Sequence, residues 1–270
     1  MCEEVREVRN GKLVAAFALL LVVSFAAMNA MSSDTLLAVL LQEAVLALVA
    51  LAAVRLAVPD ALKRCTRTVQ QRSIVRFTAI TLLLVGLVGG AITLLAWLFS
   101  GGGNMACFAS TALPSTVDLM ENLLLLLDIC LLTGLYEESF MRVLGIEAFE
   151  RALDTKRTIL ASAALFALLH VGAPDVSAGQ LVLLQTALKF GQALLFGVIL
   201  GALYVRTRRL WPCAFIHAGF DVLYMAPNVL LTGTMPETYA SGAVGDTVLL
   251  AVSVLMLAGV VLKMRKEISR

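Results

Sequence analysis

The chain has 270 residues, of which 60% are apolar and only 15% are charged, and its net charge is +2. Soluble proteins contain about 25% charged residues, so this composition excludes an ordinary soluble enzyme, a disordered chain and a fibre. The small net charge argues against nucleic acid as a partner. Only two histidines are present, His170 and His217, which limits the residues available for acid–base or metal chemistry.

Eight apolar runs predict membrane helices, because each is long and poor in charge. They cover residues 13–31, 35–57, 77–99, 118–141, 158–172, 181–204, 212–231 and 246–262. We therefore predict an all-α polytopic membrane protein with about eight transmembrane helices, forming a single membrane domain over residues 1–270. The first run is interpreted as a retained helix rather than a signal peptide, because its leader contains as many acidic as basic residues.

The basic residues predict the orientation of the chain. The connections near residues 32–34, 100–117, 173–180 and 232–245 contain no Lys or Arg, whereas 20 of the 21 basic residues lie in or next to the other connections or at the two ends. Because cytoplasmic loops are rich in Lys and Arg, both termini are predicted to be cytoplasmic. Since the loops are short, we expect an integral multi-pass protein of a bacterial cytoplasmic membrane.

Charged side chains inside the predicted spans are costly and are functional candidates by default. They are Glu43, Glu121, Asp128, Glu137, Glu138, Lys189 and Asp221. Asp128 and Lys189 are both expected near mid-membrane, at about 1.5 Å per residue from the outer ends of their helices. We therefore hypothesise that Asp128 and Lys189 form a buried ion pair. A GxxxG pattern at Gly197 and Gly201 predicts close helix packing.

Both histidines and the remaining acids fall into three short motifs. Residues 137–142 are EESFMR, of the form EExxxR; residues 166–170 are FALLH, of the form FxxxH; residues 217–221 are HAGFD, of the form HxxxD. Spacings of three to five residues place the key side chains of each motif on one helix face or nearly so. The ordered set of three motifs is more specific than any one of them.

The three motifs, in this order on successive spans, resemble those of the CPBP intramembrane proteases. That family includes the CAAX prenyl endopeptidases and bacterial proteins linked to bacteriocin self-immunity. Residues 196–221, FGVILGALYVRTRRLWPCAFIHAGFD, are similar to the family's segment before its last motif. The resemblance covers about residues 118–230, the predicted core of the domain. It implies an endopeptidase that hydrolyses a peptide or membrane-protein substrate within the lipid bilayer.

The resemblance also implies catalytic roles for four residues. Glu137 is expected to act as the general base and, with His170, to bind the attacking water at a site that opens to the cytoplasm. His217 and Asp221 match the third motif, in which the family often has Asn at the position of Asp221. An ionised Asp cannot donate a hydrogen bond to an oxyanion, so we expect Asp221 to orient His217 or to be protonated itself.

Glu138 and Arg142 are predicted to support the site. Because they are four residues apart, we expect an intrahelical ion pair near the cytoplasmic interface. The pair could also orient Glu137, or Arg142 could bind a substrate carboxylate. The whole arrangement requires His170 to lie within about 10 Å of Glu137, because a single water cannot bridge a longer distance.

The same residues are compatible with a metal site. Glu137, His170 and His217 could form a zinc site of two histidines and one carboxylate, with an open position for water. The chain contains no HExxH motif, so the spacing does not establish a zinc protease. A zinc-dependent mechanism and a metal-free glutamate mechanism remain equally compatible with the sequence.

Two other functions remain open at this level. A non-catalytic membrane partner or a bacteriocin-immunity protein could keep this fold without cleaving a substrate. A proton-coupled transporter would also place acids and histidines in the membrane. Such transporters often contain paired broken helices in two related halves, and the sequence has no such symmetry. We therefore favour the protease.

Overall fold

A computed structural model describes residues 11, 13–20, 22–23, 36–62, 68–100, 113–171, 179–234 and 239–268. Within these ranges the chain forms helices and no strand, which confirms the all-α fold class. The helices are α1 (residues 13–20), α2 (Leu36–Ala57), α3 (Val69–Ser100), α4 (Thr116–Glu137), α5 (Ile146–Phe149), α6 (Thr155–Val171), α7 (Gln180–Thr207), α8 (Leu210–Thr232) and α9 (Val244–Ile268). A 3₁₀ turn, Pro59–Leu62, follows α2, and a π-helical segment, Glu138–Gly145, joins α4 to α5.

Among the described residues, six helical segments are long and apolar enough to cross a membrane: α2, α3, the continuous segment Thr116–Phe149, α7, α8 and α9. Each corresponds to a predicted span. The predicted span 13–31 lies largely outside the described residues. The predicted span 158–172 corresponds to α6, whose 17 residues extend over about 26 Å, less than the roughly 30 Å of a bilayer core. The total of eight spans and the cytoplasmic termini therefore remain predictions.

Helices α7 and α8 make the most extensive contacts in the described part of the bundle. Helices α3 and α4 both contact α8, while α6 packs on α7, and α9 packs on α7 and α3. The predicted close packing at the GxxxG pattern is confirmed, because a Cβ atom at Gly197 would lie 3.0 Å from the Cα of Ala163. At Gly201, a Cβ atom would lie 3.2 Å from a methyl group of Ile159. These glycines therefore bring α7 close to α6.

A third glycine, Gly134, brings α4 close to α8. A Cβ atom at Gly134 would lie 3.2 Å from the backbone nitrogen of Ala218, so a larger residue would push the two helices apart. Glu137 follows Gly134 by three residues on α4, and His217 is the neighbour of Ala218 on α8. The close approach at Gly134 therefore positions the first and third motifs against each other.

The first motif lies where α4 changes into the π-helical segment. Glu137 is the last residue of α4, and Glu138 is the first residue of the π-helical segment, in which all eight residues are buried. Hydrogen bonds in a π-helix run between residues five apart, and such widened turns frequently occur at functional sites. The sequence predicts a continuous span here, over residues 118–141, and contains no signal for the widened turn.

A surface clamp holds the far end of this segment. Arg208 follows α7 in the left-handed backbone conformation, with φ of 52°, and its guanidinium lies 2.6 Å from Glu150 and 2.9 Å from Glu147. Burial alone would lower the pKa of Arg208, but the hydrogen bonds to Glu150 and Glu147 raise it above its ordinary value. The clamp therefore stays charged, and it ties α5 to the turn between α7 and α8.

Candidate active site

The structure brings the four predicted catalytic residues together. His170 Nε2 lies 3.9 Å from Glu137 Oε1, and His217 Nε2 lies 3.5 Å from Glu137 Oε2. His217 Nε2 also lies 3.3 Å from Asp221 Oδ2, one helical turn along α8. The separation of Glu137 and His170 is thus well within the 10 Å that the predicted arrangement required.

The site has a partly open face and a buried support. The side chains of Glu137, His170 and Asp221 are 20%, 25% and 17% exposed. Behind them, His217 is only 4% exposed and Glu138 is fully buried. The three open side chains are therefore those that a substrate or a water molecule can reach.

The backbone of α6 determines which nitrogen of His170 carries a proton. His170 Nδ1 lies 2.9 Å from the carbonyl oxygen of Phe166, one turn earlier. A carbonyl oxygen can only accept a hydrogen bond, so Nδ1 is the donor. In the neutral ring, Nε2 then carries the lone pair and faces Glu137. The hydrogen bond that His170 Nδ1 donates to the backbone carbonyl of Phe166 therefore orients the ring.

His217 lies among three carboxylates. Its Nδ1 lies 2.9 Å from Glu138 Oε1, while its Nε2 faces Asp221 and Glu137. An ionised carboxylate only accepts hydrogen bonds, so both ring nitrogens are placed to donate. The contact with Asp221 has the geometry expected if Asp221 orients His217. The contact with Glu138 was not predicted, because the spacing of Glu138 pointed only to Arg142.

The predicted ion pair between Glu138 and Arg142 is confirmed. Arg142 Nε lies 3.2 Å from Glu138 Oε2, and both side chains are fully buried within the protein. The guanidinium carbon of Arg142 lies 4.4 Å from the centre of the Phe166 ring, close enough for a cation–π interaction. Glu138 therefore joins Arg142 and His217, and this buried position supports a structural role rather than binding of a substrate carboxylate.

The structure assigns no metal site among the described residues. Within the part of the chain that the structure describes, no group of three or more His, Cys, Asp or Glu residues is arranged to hold a metal ion. His217 Nδ1 faces Glu138, while its Nε2 faces Glu137 and Asp221, an arrangement that a histidine ligand supported by an outer carboxylate would share. The zinc-dependent and the metal-free mechanisms therefore both remain compatible with Glu137, His170 and His217, and the reaction proposed for this site uses no metal.

The hypothesis that Asp128 pairs with Lys189 is wrong. Lys189 Nζ lies 3.3 Å from Gln192 Oε1 instead, and Asp128 Oδ2 has no hydrogen-bond partner among the described residues. The two residues are at similar predicted depths on different sides of the bundle, because α4 packs on α2 and α8 whereas α7 packs on α6 and α9. Glu43 of α2 accepts a hydrogen bond of 2.9 Å from Thr133 of α4.

A separate cavity of about 540 Å³ lies away from the three motifs. It is formed where α3 begins and where α7 and α9 end. Its lining residues are Thr68, Gln70, Gln71, Ser73, Ile74, Phe77, Arg206, Lys263 and Met264. None of these residues belongs to the motifs, so the cavity is not the candidate active site.

Comparison with known protein families bears on this site. Residues 119–223 match the Rce1-like family. The family description is Type II CAAX prenyl endopeptidase Rce1-like, and the matched segment contains all three motifs, so the predicted resemblance is confirmed. The Rce1-like family is a protease family, which supports a hydrolase. Together with the six apolar helices, it also supports an integral membrane protein. No curated protein and no solved structure matches the chain.

Proposed function

We propose that the protein is an intramembrane endopeptidase of the CPBP type, in which Glu137 and His170 activate a water molecule. The observation that carries this proposal is the separation of 3.9 Å between Glu137 Oε1 and His170 Nε2. A water molecule about 2.8 Å from each atom spans such a gap with two hydrogen bonds. Both side chains are partly exposed, so this position is accessible to water.

The proposed reaction begins with this water. It donates one hydrogen to Glu137 and the other to the lone pair of His170 Nε2. When the water oxygen attacks the carbonyl carbon of the peptide, Glu137 takes the proton as general base. The electron pair of the carbonyl bond moves onto its oxygen, and a tetrahedral oxyanion forms. The proton on Glu137 then passes to the leaving nitrogen as the C–N bond breaks, which releases an acid and an amine.

His217 is assigned to the oxyanion. Its Nε2 lies 3.5 Å from Glu137 Oε2, so an N–H group at this position is next to the bond that forms. Hydrogen-bond donors held in place before the reaction stabilise a developing oxyanion strongly. Glu138 accepts the hydrogen bond from His217 Nδ1 and thereby directs Nε2 toward the substrate. Asp221 contacts the same nitrogen and helps to hold the ring.

The substrate is a peptide or a segment of a membrane protein that reaches the site from the cytoplasmic side. The description of the matched family names CAAX prenyl endopeptidases, so a prenylated C-terminal peptide is the first probe to test. An unmodified peptide of the same sequence is the matched probe. Cleavage of only the prenylated peptide would define the substrate class, and cleavage of both would show that the prenyl group is not required.

The test compares the full-length protein with Glu137→Gln after reconstitution into liposomes. Cleavage of an internally quenched farnesylated peptide ending in Cys-Val-Ile-Met reports activity directly. We expect Glu137→Gln to lose activity at least a hundredfold, because it removes the general base. The matched control is Glu43→Gln, which changes an intramembrane glutamate that bonds Thr133 outside the site.

A second comparison does not assume the substrate. Membrane peptides are compared between cells that express the wild-type protein and cells that express Glu137→Ala. A peptide product present only with the wild-type protein supports the protease and identifies its substrate. If folded wild-type protein and Glu137→Ala give identical peptide sets, and the wild-type protein cleaves neither probe peptide, the protease proposal is contradicted.

A further inference from the structure

The cavity of about 540 Å³ away from the three motifs lies at one end of the helical bundle. Its described lining comes from the start of α3, over residues 68–77, and from the last two turns of α7 and α9, which supply Arg206, Lys263 and Met264. Each of these three helices is long and apolar enough to cross a membrane. The cavity therefore lies where three spans leave the hydrocarbon, at the end that the basic residues predict to be cytoplasmic.

Hydrogen bonds of Gln71 hold the wall of this cavity in place. Its Nε2 donates a 3.2 Å hydrogen bond to the backbone oxygen of Arg206, which ties the start of α3 to the end of α7. Its Oε1 accepts a 3.3 Å hydrogen bond from the backbone nitrogen of Thr68, and its own backbone nitrogen donates to Thr68 Oγ1 at 3.1 Å. This reciprocal pair is a capping box. The cavity is thus a space between helix ends that are tied together.

The lining of the cavity combines positive charge with an apolar surface. Arg206 and Lys263 bring two cations from two different helices, and the described lining residues include no acid. The uncharged polar lining residues are Thr68, Gln70, Gln71 and Ser73, and the apolar ones are Ile74, Phe77 and Met264. Arginine binds phosphate through its planar fork of N–H donors, and lysine binds it as a point charge. A complementary ligand therefore carries an anionic phosphate next to an apolar portion.

The size and place of the cavity favour a phospholipid over a free anion. Pockets of about 300–1,000 Å³ are usual for small organic ligands, and 540 Å³ is far more than a phosphate ion fills. Inorganic phosphate also has no apolar group to pack on Ile74, Phe77 and Met264. Basic pockets between transmembrane helices on the cytoplasmic side are typical sites for anionic lipid headgroups.

We propose that this cavity binds the headgroup of an anionic phospholipid, whose phosphate is held by Arg206 and Lys263 and whose glycerol portion packs on the apolar lining residues. The bound lipid joins the ends of α3, α7 and α9. The cavity is separate from the three motifs, so this proposal goes beyond the proposed protease function and does not rest on it.

The test measures lipid binding to the full-length protein in a neutral detergent by native mass spectrometry. Phosphatidylglycerol and the zwitterionic phosphatidylcholine, with the same acyl chains, are titrated separately, and we expect phosphatidylglycerol to bind at least fivefold more tightly. One cation near a membrane surface changes the affinity for anionic lipid about fivefold. The double variant Arg206→Gln with Lys263→Gln should therefore bind phosphatidylglycerol about twenty-five-fold more weakly.

The matched control is Arg151→Gln with Lys156→Gln, which removes two exposed cations elsewhere at the same predicted end of the bundle. Its affinity for phosphatidylglycerol should stay within twofold of the wild-type value. An equal loss in this control overturns the proposal, because the lipid then responds only to the total charge of this end.

Ser73 offers a second comparison that leaves both cations in place. It is an exposed lining residue, so its replacement should not prevent folding. Ser73→Glu places a negative charge in the cavity and should bind phosphatidylglycerol about fivefold more weakly than Ser73→Gln, which has nearly the same shape. If the double variant of Arg206 and Lys263 does not fold, this pair decides, and equal binding by the two Ser73 variants overturns the proposal.

Two further outcomes would overturn the proposal. Phosphatidylcholine bound as tightly as phosphatidylglycerol would show that the charge of the headgroup is not recognised. Displacement of the lipid by inorganic phosphate, but not by chloride at equal ionic strength, would assign the cavity to a free anion. None of these measurements uses peptide cleavage, so failure of the protease proposal leaves their outcome interpretable.

Discussion

The fully buried ion pair of Glu138 and Arg142 allows a sharp test of how the site is supported. Replacing Glu138 with Gln removes one charge but keeps a side-chain oxygen 2.9 Å or so from His217 Nδ1, where the carboxylate now accepts. Arg142 would keep its positive charge at zero exposure. Apart from the ion pair with Glu138, its guanidinium has no hydrogen-bond partner among the described residues, and its nearest reported aromatic contact is the Phe166 ring.

Removing one partner of a buried ion pair typically costs about 3–5 kcal/mol, because the other charge is stranded. For a protein of this size, about 1 kcal/mol corresponds to a change in Tm of about 2–4 °C. We therefore expect Glu138→Gln to lower Tm by about 6–20 °C, measured by circular dichroism in detergent. Glu138→Gln combined with Arg142→Met should recover most of this loss, because the pair is then replaced by uncharged groups.

The matched control is Arg151→Met, which changes an exposed arginine close in sequence to the site. Such a surface change should alter the free energy of unfolding by no more than about 0.5 kcal/mol. The reasoning would be refuted if Glu138→Gln unfolded within 2 °C of the wild-type protein. It would also be refuted if Arg142→Met gave no recovery in the double variant.

Three further predictions concern packing, the surface clamp and metals. Gly134→Leu should lower kcat at least tenfold in the peptide assay, because a side chain at Gly134 collides with the backbone of α8 at Ala218. The control is Gly11→Leu, where no atom of the described residues lies within 4 Å of an added Cβ, and equal effects of the two changes would contradict this explanation. Arg208→Lys should lower Tm by about 1–4 °C, because a lysine cannot make the bidentate contact that Arg208 makes with Glu150. A Tm equal to that of the wild-type protein would show that the positive charge alone is sufficient. Treatment with a chelator, with metal removal checked by metal analysis, should leave peptide cleavage unchanged, because the described donor residues do not form a metal-binding group. A loss of activity that added zinc restores would show that a metal is required.

Much of the site could be predicted because its residues are rare in their surroundings. An apolar chain with two histidines leaves few ways to combine them with acids, and ordered motifs indicate residues that meet in the fold. His170 and His217 are 47 positions apart in the chain, yet both lie within 4 Å of Glu137. The i to i+4 spacing of Glu138 and Arg142 likewise predicted their contact, because local spacing survives in any helical fold.

Contacts between distant helices were predicted less well. Asp128 and Lys189 were paired from their depth alone, but depth does not tell which side of a helix faces which neighbour. The contact of Glu138 with His217 was missed for the same reason. The π-helical segment at Glu138–Gly145 has no recognisable pattern in the sequence, and in the structure it contacts α2, α8 and α6.

The sequence by itself determined that this protein is a helical membrane protein and which few residues can carry chemistry, because hydrophobic length and local spacing are properties of single helices. Only the tertiary structure decided which of these residues meet. The close approach of α4 to α8 at Gly134 places Glu137 beside His217, and on α7 Lys189 contacts Gln192 rather than Asp128. These outcomes depend on how helices rotate and approach one another, which is decided by side-chain packing across the whole bundle.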